Sequence, residues 1–207
     1  AQSKVQAEKD LQDLSRGGFE VVRLRFATAY GLSPRHRFDI VLNNLAAWAH
    51  ATGRIHLKSD GSPWRPLIHV EDMARAFAAM LTAPAEVVAG EAFNVAPPGA
   101  NHRIRELAEL LAELRPDCEV ELAADASPDA RDYRVSGERI ARLVPSFEPR
   151  WDVRRGAQQL LAAYAEHGLR LEDFEGPVYK RIDHIRWLMA QGRLDESLRW
   201  TAAGERI

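Results

Sequence analysis

The chain has 207 residues, 46% of them apolar and 28% charged, with 13 Gly and 11 Pro. That is the composition of an ordinary globular protein, which excludes wholesale disorder and a collagen-like repeat, and the length allows one large domain or one and a half. Lys plus Arg (28) and Asp plus Glu (30) leave a net charge of -2, so no global field draws the chain to nucleic acid or an anionic membrane, and any anion site must be local.

Lys4, Lys9, Lys58 and Lys180 are the only lysines, so 24 of the 28 basic residues are arginines. That bias suits bidentate phosphate contacts, or it reflects genome composition. Cys118 is the one cysteine, which excludes an internal disulfide and a cysteine-based zinc cluster. The seven histidines are scattered without metal-ligand spacing, and no metal is expected. With no run of about 18 apolar residues and no signal-peptide layout, the expected location is the cytoplasm.

The opening run through Arg16 reads as helix with no capping residue ahead of it, as though the chain begins inside one. Gly17-Gly18 stops it, and the β-branched and aromatic run Phe19 to Phe26 predicts a strand. Helix, stop and strand are half of a βαβ unit, so a mostly parallel sheet is expected, with the loop Ala29 to Pro34 at the carboxyl end of a strand, where open α/β sheets bind ligands. Helical spacing follows over 38–50, then strands over 54–58 and 66–70 flank the turn Ser59 to Pro63. Helical spacing returns over 71–81, with Glu71-Asp72 at the positive end of the dipole, and 91–96 is a buried-strand candidate. Beyond Asn101 the pattern is helical at 104–114, 137–143, 152–167 and 179–191, with one strand at 118–122 and a polar linker over 124–132. The five tryptophans read mostly as core or packing residues.

Several segments, taken together, carry a resemblance. Ala1-Gln-Ser-Lys4 is similar to the end of the Tyr-x-x-x-Lys helix of extended short-chain dehydrogenases/reductases, the NAD-dependent epimerase/dehydratase family, with the tyrosine position falling just before Ala1. Val22-Arg-Leu-Arg-Phe-Ala-Thr-Ala-Tyr-Gly31 looks like that family's sixth Rossmann strand and its loop. Asn43-Asn44-Leu45 is similar to its diphosphate-contacting helix start. Gly61-Ser-Pro-Trp-Arg-Pro-Leu-Ile-His-Val-Glu-Asp72 resembles its Gly-x-x-x-Arg-Asp-aromatic-apolar-(His/Tyr)-Val-x-Asp signature, with Pro66 in place of the Asp. The likeness covers about the first hundred residues closely.

It implies an α/β fold: the C-terminal part of a Rossmann-type parallel sheet interleaved with a small, mainly helical α/β substrate-binding domain. Residues 1–34 and 71–98 would be the last Rossmann elements, and 35–70 and 99–207 the substrate domain and a helical C-terminal extension. The sequence holds no G-x-x-G-x-x-G loop, so the family's pyrophosphate cradle is expected to lie outside this chain.

The implied cofactor is NAD or NADP and the implied partner a nucleotide-diphosphate sugar, with a homodimer possible for the full-length enzyme and no nucleic-acid or membrane partner. Lys4 would be catalytic, its ammonium lowering the pKa of a tyrosine one helical turn away, and it would also hold the nicotinamide ribose. Tyr30, Leu32 and Ser33 would line the cofactor. Thr28, Asn44, Arg65 and Arg131 would contact the substrate, Arg65 by two parallel bonds to the diphosphate. Each has a plainer alternative: a surface lysine on an amphipathic helix, an arginine on a solvated turn, a salt-bridged linker arginine. His69 and Asp72 look structural, fixing and capping the strand-to-helix turn. His56 and Lys58 either flank the base or alternate outward on a half-exposed strand.

Epimerase and dehydratase chemistry stay undistinguished, as does a reductase with a non-sugar substrate. The isolated chain could instead be a non-catalytic nucleotide-sugar-binding or assembly module, and such a piece is expected to be marginally stable alone.

Overall fold

Gly17 and Gly18 turn the first helix, α1 (Gln2–Ser15), back toward the sheet; Gly17 N–H bonds Leu14 O at 3.0 Å, and Gly18 has φ +88°, a conformation open to glycine at no steric cost. A computed structural model of the chain describes residues 2–15, 17–127 and 132–201, the side chains of Lys58 and 123–127 apart. Arg131 and the rest of 128–131, within the expected linker, therefore lie outside the described residues.

The strand expected over 19–26 forms as two short ones, β1 (Arg23–Phe26) and β2 (Thr28–Tyr30). The break at Ala27 is a change of partner: Ala27 N–H still bonds Val95 O at 3.0 Å, but the next residue pairs with a different strand. The chain continues through α2 (Val41–Thr52), β3 (Arg54–Ser59), β4 (Trp64–His69), α3 (Val70–Thr82), α4 (Ala85–Val88), β5 (Ala92–Val95), β6 (Asn101–Arg103), α5 (Ile104–Leu114), β7 (Glu119–Ser127), α6 (Glu138–Leu143), α7 (Val153–Glu166), α8 (Leu171–Glu175) and α9 (Arg181–Ala190). Gly53 closes α2 in the left-handed region (φ +69°), its N–H on Ala49 O, a helix stop that glycine supplies without strain.

β1 pairs with β5, β2 with β4 and β3 with β7, all parallel, and β6 runs antiparallel on the other side of β4. The mixed α/β, mostly parallel architecture expected from the sequence is thus present. Two expectations are corrected. The region after Asn101 holds a further strand, β6, too short for periodicity to register. The supposed linker from Ala124 is strand as far as Ser127, because β7 pairs with β3 to the register Ser59–Ser127.

Two cores sit on either side of β2 and β4. One gathers Leu42, Ile55, Leu107, Leu111, Leu160 and Phe174 from α2, β3, α5, α7 and α8. The other gathers Ala76, Phe93, Val95, Ile140, Val144 and Phe147 from α3, β5, α6 and the segment after it. Successive residues of a strand face opposite ways, so Leu67 enters the first core and Ile68 the second. Each such fully buried Leu, Ile or Phe is worth about 1.5–3 kcal/mol. Not all the aromatic residues join in: Phe77 on α3, Trp187 on α9 and Trp200 are exposed, whereas Trp48 packs against the first core and Trp151 against His69, as expected of packing tryptophans.

Candidate functional site

β2 and β4 run parallel, and the loop after β2 (Gly31 to Ile40) leaves from their shared carboxyl end. α1 is tied to β1 by Arg25, whose Nε and Nη2 donate to Glu8 Oε1 and Oε2 at 2.8 and 2.5 Å. The guanidinium holds the Glu8 carboxyl below its usual pKa. Lys4 is exposed on the same face of α1, one turn before Glu8, as i and i+4 residues are. Because the chain folds back at Gly17-Gly18, the amino end of α1, with Lys4, is directed toward the carboxyl end of β1.

The base of the loop is fixed by buried polar groups. His69, 1% exposed, caps α3: its Nδ1 accepts from Glu71 N–H at 3.2 Å, and its Nε2 lies 2.9 Å from Gln159 Oε1. Both bonds are satisfied by one neutral tautomer, protonated at Nε2, and burial, partly offset by the Gln159 bond, lowers the pKa of the ring. The imidazole stacks on Trp151 at 3.9 Å and meets the edge of Tyr30 at 5.2 Å. Gly31 has φ +109°, and a Cβ there would stand 2.5 Å from His69 Nε2, so only glycine lets the loop pass over this ring.

Asp72, wholly buried, is not a cap of its own helix. Its Oδ1 accepts from Arg150 N–H and Arg75 Nη1, and its Oδ2 from Trp151 N–H, all at 2.9 Å. It therefore ties the segment before α7 to α3, a role with partners almost eighty residues away. Asp152 N-caps α7 through Arg155 N–H at 2.7 Å, and its carbonyl accepts from Tyr30 Oη at 3.0 Å.

The loop itself is held at both ends by Asn43, 3% exposed: Oδ1 accepts from Gly31 N–H at 3.1 Å and Nδ2 donates to Arg37 O at 3.0 Å. Of the adjacent asparagines, Asn43 thus braces the loop, while the half-buried Asn44 borders a cleft with Arg37, Arg181 and Arg186.

The remaining sequence candidates divide clearly. Leu32 (36% exposed) and Ser33 stand out from the loop and are accessible. The Tyr30 side chain is not: it lies in the core with its hydroxyl committed to Asp152, and burial raises its pKa well above that of a free phenol. Tyr164 is raised in the same way, so neither phenol suits a general base near neutral pH. Thr28 is half-buried in register with Leu67. Arg65, far from a solvated turn, is 8% exposed within β4, donates to Trp64 O at 2.8 Å and lies opposite His102. His56 alternates with buried Ile55 and Leu57 on β3, the outward placement expected of a half-exposed strand. Sequence reasoning missed Asn43 as the brace, Gln159 on His69 and the Asp72 strap. The first had a local signal in the paired asparagines, and the others had none.

Residues 1–96 match the NAD dependent epimerase/dehydratase family. Lys4, the β1–β2 run and the Arg65–Asp72 signature all lie inside that segment, as the resemblance implied. Among solved structures, the chain is similar to RMD from Pseudomonas aeruginosa complexed with NADPH (23% identity, TM-score 0.67, covering 80% of this chain and 54% of that one). It is also similar to an epimerase from Methanothermobacter thermautotrophicus (24%, 0.68, 80% and 49%) and to UDP-glucose 4-epimerase from Thermotoga maritima with UDP-glucose (20%, 0.66, 79% and 52%). At these identities the likeness is one of fold, and the chain spans about half the length of the structures it matches. Among the described residues no helix is long and apolar enough to cross a membrane, and no group of three His, Cys, Asp or Glu could hold a metal ion.

Proposed function

We propose that this chain carries the C-terminal part of an NAD(P)-dependent epimerase or dehydratase of nucleotide sugars, as the match of residues 1–96 to that family suggests. The residues present fit the nicotinamide end of the cofactor: an exposed lysine on the amino-terminal turn of α1, and a braced loop at the carboxyl end of β2 offering the accessible Leu32 and Ser33. Nothing in the sequence fits the pyrophosphate, which takes a glycine-rich turn at a helix start. When bound, a nicotinamide accepts hydride from a sugar carbon and can return it.

The chain's own part is binding and charge. Lys4 supplies an ammonium that stabilises a phenolate one helical turn toward the amino end and binds ribose hydroxyls. That phenol is neither Tyr30 nor Tyr164, whose burial works against ionisation. Arg65 and Asn44 are the proposed diphosphate contacts, Thr28 a sugar contact, and Arg131 a nucleotide contact. A guanidinium already turned inward and fixed within a strand loses little entropy on taking a diphosphate.

Calorimetric titration of the 207-residue chain with UDP tests the reading. Binding should weaken as salt rises and fall at least about tenfold in Arg65→Gln, with Asn44→Ala as a second variant at a half-exposed position less able to disturb folding. UDP binding that is absent, or indifferent to salt and to both substitutions, would overturn it.

A further inference from the structure

The loop after β2 forms one wall of a cavity of about 630 Å³, within the range of small-molecule sites. The opposite wall comes from the end of α7, from α8 and from the segment leading into α9, all beyond the residues that match the family. We infer that this cavity is a binding site for a neutral aromatic group; it shares Leu32 and Ser33 with the proposed cofactor contacts, on whose reading it does not otherwise rest, and includes none of Lys4, Thr28, Asn44 and Arg65.

Shape and chemistry both point there. Phe38, Tyr164 and Tyr179 surround the space with rings: Tyr179 stands edge-on to Phe38 at 4.8 Å and 89°, and Tyr164 lies tilted to it at 5.7 Å. Leu32, Leu169 and Val178 complete an apolar surround. A flat ring entering such a space gains edge-to-face contacts in addition to its burial.

The polar groups of the floor satisfy one another. His36 Nε2 lies 2.7 Å from Tyr164 Oη, which in turn reaches Asn43 O at 3.3 Å. Tyr164 donates to the carbonyl, so His36 Nε2–H donates to Tyr164, and burial favours the uncharged form of both. The floor thus carries no cation to receive a phosphate. At the rim stand Glu172 and Asp173, and Arg170 is shared between the two carboxylates at 3.2 Å each. A net negative rim over a neutral floor disfavours an anion and leaves a neutral ring unopposed. The Asn43 brace fixes the loop wall in advance, so little ordering remains to be done on binding.

The test uses two probes that share a ring and differ in charge, p-cresol and p-tolyl phosphate, titrated into the 207-residue chain by saturation-transfer NMR. p-Cresol should bind saturably and p-tolyl phosphate at least about tenfold more weakly. Ala163→Phe, which fills the cavity from α7, and Val178→Trp, which fills it from the exposed opposite wall, should each abolish the p-cresol signal. Val178→Trp decides the matter alone if Ala163→Phe does not fold. Equal binding of the two probes, or p-cresol binding that survives in the folded filled variants, would overturn the inference. Because no readout involves UDP or a nicotinamide, its failure is distinct from failure of the proposed function.

Discussion

Asp72 is fully buried and accepts three hydrogen bonds, two of them from the backbone N–H groups of Arg150 and Trp151. An unsatisfied buried donor costs about 1–3 kcal/mol, so Asp72→Ala should destabilise the fold by about 3 kcal/mol or more, whereas Asp72→Asn, which keeps one acceptor oxygen, should lose less. Urea titration of both variants measures the difference, and a loss of under about 1 kcal/mol in the alanine variant would show that the strap contributes little. The arrangement around Tyr30 is equally tight: a Cβ on Gly156 would lie 2.3 Å from the Tyr30 ring, so α7 can approach β2 this closely only because that position is glycine. Lys4, Leu32 and Ser33, by contrast, are accessible side chains on a fixed frame, the division of labour expected when a rigid scaffold presents a site on a loop.

The junction of β4 with α3 is the element that sets this frame, and His69 titrates there. Burial depresses the folded-state pKa of His69, and of His36 in the neighbouring loop. Their stabilising contribution is therefore complete above the unfolded value of about 6.5 and is lost as pH falls through the folded values. Melting temperature should be flat above about pH 7 and should fall on acidification toward pH 5 more steeply in the parent than in His69→Asn, which retains a cap acceptor but does not titrate. Equal slopes would remove His69 from the account.

Elements of this kind were legible where the signal is local. α5 falls on its expected residues because Ile104, Leu107, Ala108 and Leu111 keep helical spacing on one buried face. The stop of α2 was written in Gly53. The break at Ala27, the three residues of β6 and the five of α8 were not legible, because each is decided by a partner distant in sequence. The candidate site follows the same rule. The loop and its exposed residues could be read from order and motif, and the paired asparagines marked the brace without saying which of them it is, but the commitment of Tyr30 to Asp152 and the cavity wall supplied by Tyr179 depend on packing between segments over a hundred residues apart.

At the scale of the whole molecule, the chain buries two cores and still leaves large apolar side chains in the open, Phe77 and Leu81 on α3 at 54% and 88% exposure among them. These lie four residues apart on one helical face, a patch that favours self-association at high concentration. The two cores share β4, since Leu67 belongs to one and Ile68 to the other. Neither core can open without stripping one face of that strand, so β4 acts as a common wall that couples their unfolding. Amide hydrogen exchange should then report a single cooperative unit: the slowest protons of Phe93 on one side and Leu107 on the other should exchange with the same free energy, equal to that of global unfolding. Two separate plateaus would show that the wall can be left standing when one side falls.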